Sequence, residues 1–182
     1  NAPGTSVLPD TMHQLVMQIQ TAAATAVPGM IVIYDRLLYY PGIVTSLTTS
    51  QDFTNTVGLP RYESGHGVRA WLEMTSVGTV ASAFGFGYAT YTYTNQDGVA
   101  FQQNDSYIRL YSAPAIARIP HAATTTGYWN PYLPLIGTDT GVQSIASIQF
   151  AATLSGVCAA VLGKPLLTIP IPSASVLSYR DC

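Results

Sequence analysis

Along the chain the spacing of hydrophobic positions changes once, near Met30. Before it, Met12, Leu15, Val16 and Ile19 recur at helical spacing behind Asp10 or Thr11 as N-cap, and Pro28-Gly29 stops the run. The pattern predicts a short helix in an N-terminal arm over residues 1–29. Its apolar face is narrow, so it needs a surface to dock on, because isolated helices of this length are marginal.

Beyond Met30 the period is two. "MIVIYDRLLYY" predicts a strand that begins buried and ends at Pro41-Gly42, and the Thr-rich "IVTSLTTSQDFTNTVGLP" a sheet edge or extended loop. In "GVRAWLEMTSV" the alternation is clean: Val68, Ala70, Leu72 and Met74 share one face, Arg69, Trp71, Glu73 and Thr75 the other. "ESGHG" before it reads as the turn that feeds this strand. Arg69 and Glu73 lie too far apart along one strand to pair, so each is expected to meet a neighbouring strand or another chain.

"FGFGYATYTYT" alternates, with "NQDG" after it as a hairpin turn, and "SYIRLYSAP" gives the next strand. Prolines 120, 131 and 134 make the following segment a long connection packed by Tyr128, Trp129 and Tyr132. "TGVQSIASIQFAATLSG" places Val142, Ala146, Ile148, Phe150 and Ala152 inward, and "VCAAVLGKPLLTIPIP" supplies the last strand or two. About eight strands, one leading helix and no βαβ alternation predict a mainly β fold: an antiparallel β-sandwich or jelly-roll-like barrel over residues 30–182, preceded by the arm.

Composition sharpens this picture. Charged residues are 9% of the 182, against about 25% in an ordinary soluble protein. Lys164 is the single lysine. Lysine keeps free surfaces solvated and is depleted at interfaces that retain Arg and Tyr, so the balance points to a surface covered by neighbours. A net charge of −2 without an arginine cluster argues against nucleic acid, and the apolar runs are too short for a membrane helix. Cys158, in "SGVCAAVL", reads as a buried thiol.

Candidate chemistry is sparse. His13, His66 and His121 have no zinc-ligand spacing. Glu63, His66 and Glu73 are the nearest thing to an acid–base group, yet no nucleophile elbow or phosphate loop accompanies them. "TNQDG" and "GTDTG" offer oxygen ligands without completing a calcium loop, and turn chemistry explains both. No enzyme activity, metal or cofactor is expected. Twelve tyrosines and two tryptophans keep a sugar-binding module open, with Trp71 and Trp129 as stacking platforms.

Several segments in order, "VIYDRLLYYPGI", "TSQDFTNTVGLPRYESGHGVRAWLEMTSVGTVAS", "YTNQDG", "LPLIGTDTGVQSIASIQ" and "TIPIPSASVLSYRDC", resemble head-associated structural proteins of tailed-phage virions from about residue 30 onward. The family pattern continues past "YRD", where this sequence stops at Cys182. The resemblance implies a capsid cement or decoration protein on the virion surface, with the major capsid protein and copies of itself as partners. The alternative is a carbohydrate- or host-binding module of a phage tail or adhesion protein. Candidate contacts are Leu15 and Ile19 on the helix, Arg61, Tyr62, Arg69 and Trp71 around the first clean strand, and Tyr128, Trp129 and Tyr132 in the proline-rich connection.

Overall fold

A computed structural model describes residues 16–19, 29–76, 86–109, 121–123, 130–151, 155–171 and 178–181. They form ten strands: β1 Val16–Ile19, β2 Gly29–Val44, β3 Gln51–Asp52, β4 Arg69–Met74, β5 Phe86–Asn95, β6 Gln102–Arg109, β7 His121–Ala123, β8 Val142–Phe150, β9 Val157–Ile171 and β10 Ser178–Asp181. Among the described residues there is no helix, and hence none long and apolar enough to cross a membrane.

The chain divides into two compact units. One comprises Asn1–Ile33 with Leu166–Cys182, the other Tyr34–Pro165. In the first, β1 pairs antiparallel with β10, Val16 opposite Asp181 and Ile19 opposite Ser178. This corrects the predicted helix: Val16–Ile19 is a strand, and the remainder of that segment through residue 28 lies outside the described residues. Local helical spacing is a weak preference. Val16 and Ile19 are β-branched, and a partner strand at the far end of the sequence satisfies their backbone.

The larger unit is mainly β and sandwich-like. One sheet has the order β2-β9-β4, the other β3-β8-β5-β6-β7. β4 runs antiparallel to β9, with Trp71 opposite Val161, and β5 lies antiparallel between β6 and β8. The two sheets share one core, to which β4 gives Ala70, Leu72 and Met74 and β9 gives Cys158, Ala160 and Leu162. Opposing them are Tyr91 and Tyr93 of β5 with Ile145, Ile148 and Phe150 of β8. Val68, Ala70, Leu72 and Met74 thus face inward together, as their alternation predicts.

Two expectations shift. β2 does not end at Pro41-Gly42 but runs to Val44. It is an edge strand, where a proline need not cost a ladder bond, and Gly42 takes a positive φ of 80° that admits the bend. On β8 the inward residue is Ile145 and not Ala146, which is half-buried. The β5–β8 register slips twice, between Thr92 and Tyr93 and between Thr94 and Asn95. Each bulge inserts a residue and resets the alternation. Ala152 lies outside the described residues.

Candidate interaction site

The strand β4 turns Trp71 away from the core, yet the side chain is only 4% exposed. The reason lies on β9. Gly163 has no side chain, and a Cβ built there would fall 2.5 Å from Trp71 Cη2 and 2.8 Å from Cζ3. The indole therefore lies across the glycine and reaches Tyr34 of β2, with ring centroids 4.8 Å apart. Tyr132 meets Tyr34 edge-on at 6.1 Å, and the two hydroxyls share a short hydrogen bond. Burial and that bond hold the Tyr34 hydroxyl well above the ordinary phenol range, so it stays protonated.

A charged brace adjoins this aromatic row. Trp71 Nε1 donates to Glu73 Oε1 at 2.8 Å, and Arg36 closes on the same carboxylate through Nη1 at 3.3 Å and Nη2 at 2.9 Å. The Arg36 guanidinium in turn sits 5.0 Å from the centroid of Tyr39, which is 47% exposed. Tyr39, Arg36, Glu73, Trp71, Tyr34 and Tyr132 are thus one connected set. An aromatic and arginine surface whose rotamers are already fixed loses less entropy on binding than a loose one.

The loop before β4 carries a second group. Arg61 pairs with Asp35 through Nε at 2.6 Å and through Nη2, and these hydrogen bonds hold the Asp35 carboxyl below the usual aspartate range. Tyr62 adopts a positive φ of 55° and closes a turn, its carbonyl accepting from Gly65 N at 2.6 Å. Lys164 Nζ donates to the His66 carbonyl at 2.6 Å and sits 5.4 Å from the Tyr62 ring centroid. "ESGHG" is therefore the expected turn, with Gly65 and Gly67 both at positive φ.

Of the sequence-predicted contacts, the structure brings Trp71 and Tyr132 together through Tyr34, and Arg61 beside Tyr62 on the loop. Arg69 starts β4, half-buried, opposite Gly163. Ile19 belongs to β1, in the smaller unit, while Leu15, Tyr128 and Trp129 lie outside the described residues. Trp71 is not the exposed platform that a sugar-stacking role assumes, because its faces are taken by Gly163 and Tyr34. Sequence reasoning missed Tyr34, Arg36 and Tyr39. The signal was present in "YDRLLYY", where an arginine stands among three tyrosines.

No hydrogen bond joins Glu63, His66 and Glu73. Glu73 is occupied by Arg36 and Trp71, His66 Nδ1 lies 3.1 Å from Thr140 Oγ1, and Glu63 is exposed. The motifs "TNQDG" and "GTDTG" do come together, as a clasp. Tyr93 Oη donates to Asp139 Oδ2 at 2.7 Å and Asn95 Nδ2 to Oδ1 at 2.9 Å, while Gln96 Oε1 accepts from Thr140 N and Gly141 N. Both Asp139 oxygens thus serve protein donors, and among the described residues no group of three or more His, Cys, Asp or Glu is placed to hold a metal. Comparison with protein-family models, with curated proteins and with solved structures finds no match.

Proposed function

We propose that this chain is a structural virion protein, a cement or decoration subunit that binds the outside of the shell and links neighbouring major capsid subunits. The observation that supports this reading best is the exposed pair Tyr39 and Arg36, braced through Glu73 and the buried Trp71, on a chain with one lysine. Arginine and tyrosine held in place by internal contacts are the residue types that interfaces retain, and lysine is the type they shed. The segmental resemblance to phage head proteins points the same way. With this reading goes the finer form of the fold, a jelly-roll-like barrel of about eight strands over residues 30–182. Binding the assembled shell, and not its dissociated subunits, would stabilise the shell by mass action.

The test is quantitative mass spectrometry of large particles purified from producing cells. A copy number near one per major shell protein, or a simple fraction of it, is expected, and Arg36→Glu is expected to lower occupancy at least tenfold. Absence of the chain from particles overturns the reading. A few copies per particle would move it to tail or vertex.

A further inference from the structure

The segment after β3 separates two hollows that share Asn55, Thr56 and Val57. The first, about 420 Å³, is aromatic: Tyr40 and Phe53 lie 5.1 Å apart between centroids, with Leu38, Pro41 and the exposed ring of Tyr39 around them. The second, about 480 Å³, is polar, and Glu63, Gln143 and Ser144 line it. Each volume falls in the range of small-molecule sites. Asn55 is fixed between the two, accepting from Tyr40 Oη at 2.8 Å and donating to the Ile145 carbonyl at 2.9 Å.

The unused groups define the ligand. Glu63 makes no hydrogen bond or ion pair among the described residues. Gln143 spends its Nε2 on the carbonyls of Ser64 and Gln96, and its Oε1 has no donor among the described residues. Among the described residues no lysine or arginine lines either hollow, so an anion finds no counter-charge there. On the aromatic side Tyr39 is supported by Arg36, which is anchored on Glu73. A ligand that offers a flat apolar face to the aromatic rings and several hydroxyl donors to the adjacent acceptors fits both hollows. That is the chemistry of a neutral sugar, whose C–H face stacks and whose hydroxyls donate.

We propose that this paired cleft binds a neutral oligosaccharide, one ring against Tyr39 and its neighbours and the next toward Glu63 and Gln143. The inference does not rest on the shell reading, and it places sugar binding away from Trp71. The experiment titrates the isotope-labelled full chain with maltotriose, cellotriose, chitotriose and a sialylated trisaccharide, following backbone amide shifts. Each probe is taken to about 20 mM, enough to reveal even a millimolar site. Expected is saturable perturbation by at least one neutral probe, confined to residues 38–63 and 142–145. The sialylated probe should bind at least tenfold more weakly.

Tyr39→Ala and Val57→Arg both change exposed side chains and should fold. Each is expected to weaken binding at least tenfold while the protein keeps a cooperative unfolding transition. Silence from all the neutral probes, perturbation elsewhere, equal binding of the sialylated probe, or unchanged affinity in both variants overturns the proposal.

Discussion

Replacing Gly163 by alanine tests whether the indole of Trp71 truly lies over a bare backbone. Gly163 has no positive φ, so its backbone suits alanine, and with open space above it the substitution should stabilise by about 0.4–1 kcal/mol through the unfolded chain. The structure predicts the opposite sign. The new Cβ would sit 2.5 Å and 2.8 Å from two indole carbons, closer than such contacts allow, and a tight 3.0 Å from the Asp35 carbonyl oxygen. Trp71 cannot retreat freely, since Tyr34 packs on it and Glu73 holds its Nε1. Overpacking of this kind costs about 1–3 kcal/mol, which for a chain of this size lowers the melting temperature by roughly 4–8 °C at the middle of that range.

The assay is thermal and urea unfolding of wild type, Gly163→Ala, Trp71→Leu and the double variant. The cost of Gly163→Ala should vanish or reverse in the Trp71→Leu background, a coupling of about 1–3 kcal/mol between touching residues. A stabilised Gly163→Ala variant, or additive effects across the cycle, would refute the packing of Trp71 over Gly163.

Three further outcomes follow from other parts of the larger unit. A Cβ on Gly141 would overlap the Gly65 carbonyl oxygen, backbone against backbone, so Gly141→Ala should destabilise more than Gly163→Ala in the same unfolding assay. Asp35 has its folded pKa lowered by Arg61 from an ordinary value of 3.8, so its contribution is present above that pH and lost as the pH falls through the folded value. Melting curves of wild type and Asp35→Asn should therefore converge on acidification below 3.8; a gap that stays constant would remove the pair from the account. Burial pushes the Cys158 thiol up to about 12, so peptide mapping should find it unalkylated in native protein at pH 8 and alkylated in urea.

What the sequence disclosed, it disclosed through local rules. The parity of Val68, Ala70, Leu72 and Met74 was legible because β4 is regular, and the turns at "ESGHG" and "NQDG" because glycine and asparagine chemistry is local. The same parity shows that Trp71 points away from the core. It says nothing of the cover over it, which depends on Gly163 and Tyr34, neither near it in sequence. On β8 a period of two selected Ala146, because bulges leave no compositional mark. "TNQDG" and "GTDTG" each read correctly as turns, while their union through Asn95 and Asp139, 44 residues apart, is a tertiary fact. The N-terminal helix failed similarly, since the partner of Val16–Ile19 is at the other end of the chain.

The low charge content acquires a physical meaning from where the charges sit. Arg36 braces Tyr39 and Trp71 through Glu73, Arg61 ties the loop to Asp35, and Lys164 is bound to the His66 carbonyl beside Tyr62. Each of these cations is engaged in orienting a loop or an aromatic side chain, which reduces what it contributes to a freely solvated surface. Phe101 meanwhile stands 79% exposed, with a positive φ of 58° that a bulky residue seldom adopts, and Val57 is 66% exposed beside the paired cleft. Apolar side chains presented in this way, on a chain with one lysine to keep neighbours apart, favour association over free solution. The isolated protein should accordingly self-associate as concentration rises, and Phe101→Lys, which relieves one exposed ring without touching a described hydrogen bond, should shift that equilibrium toward monomer in sedimentation velocity. If Phe101→Lys leaves the distribution unchanged, the Phe101 ring is not part of the associating surface, and Tyr39 and Val57 are the next exposed apolar side chains to test.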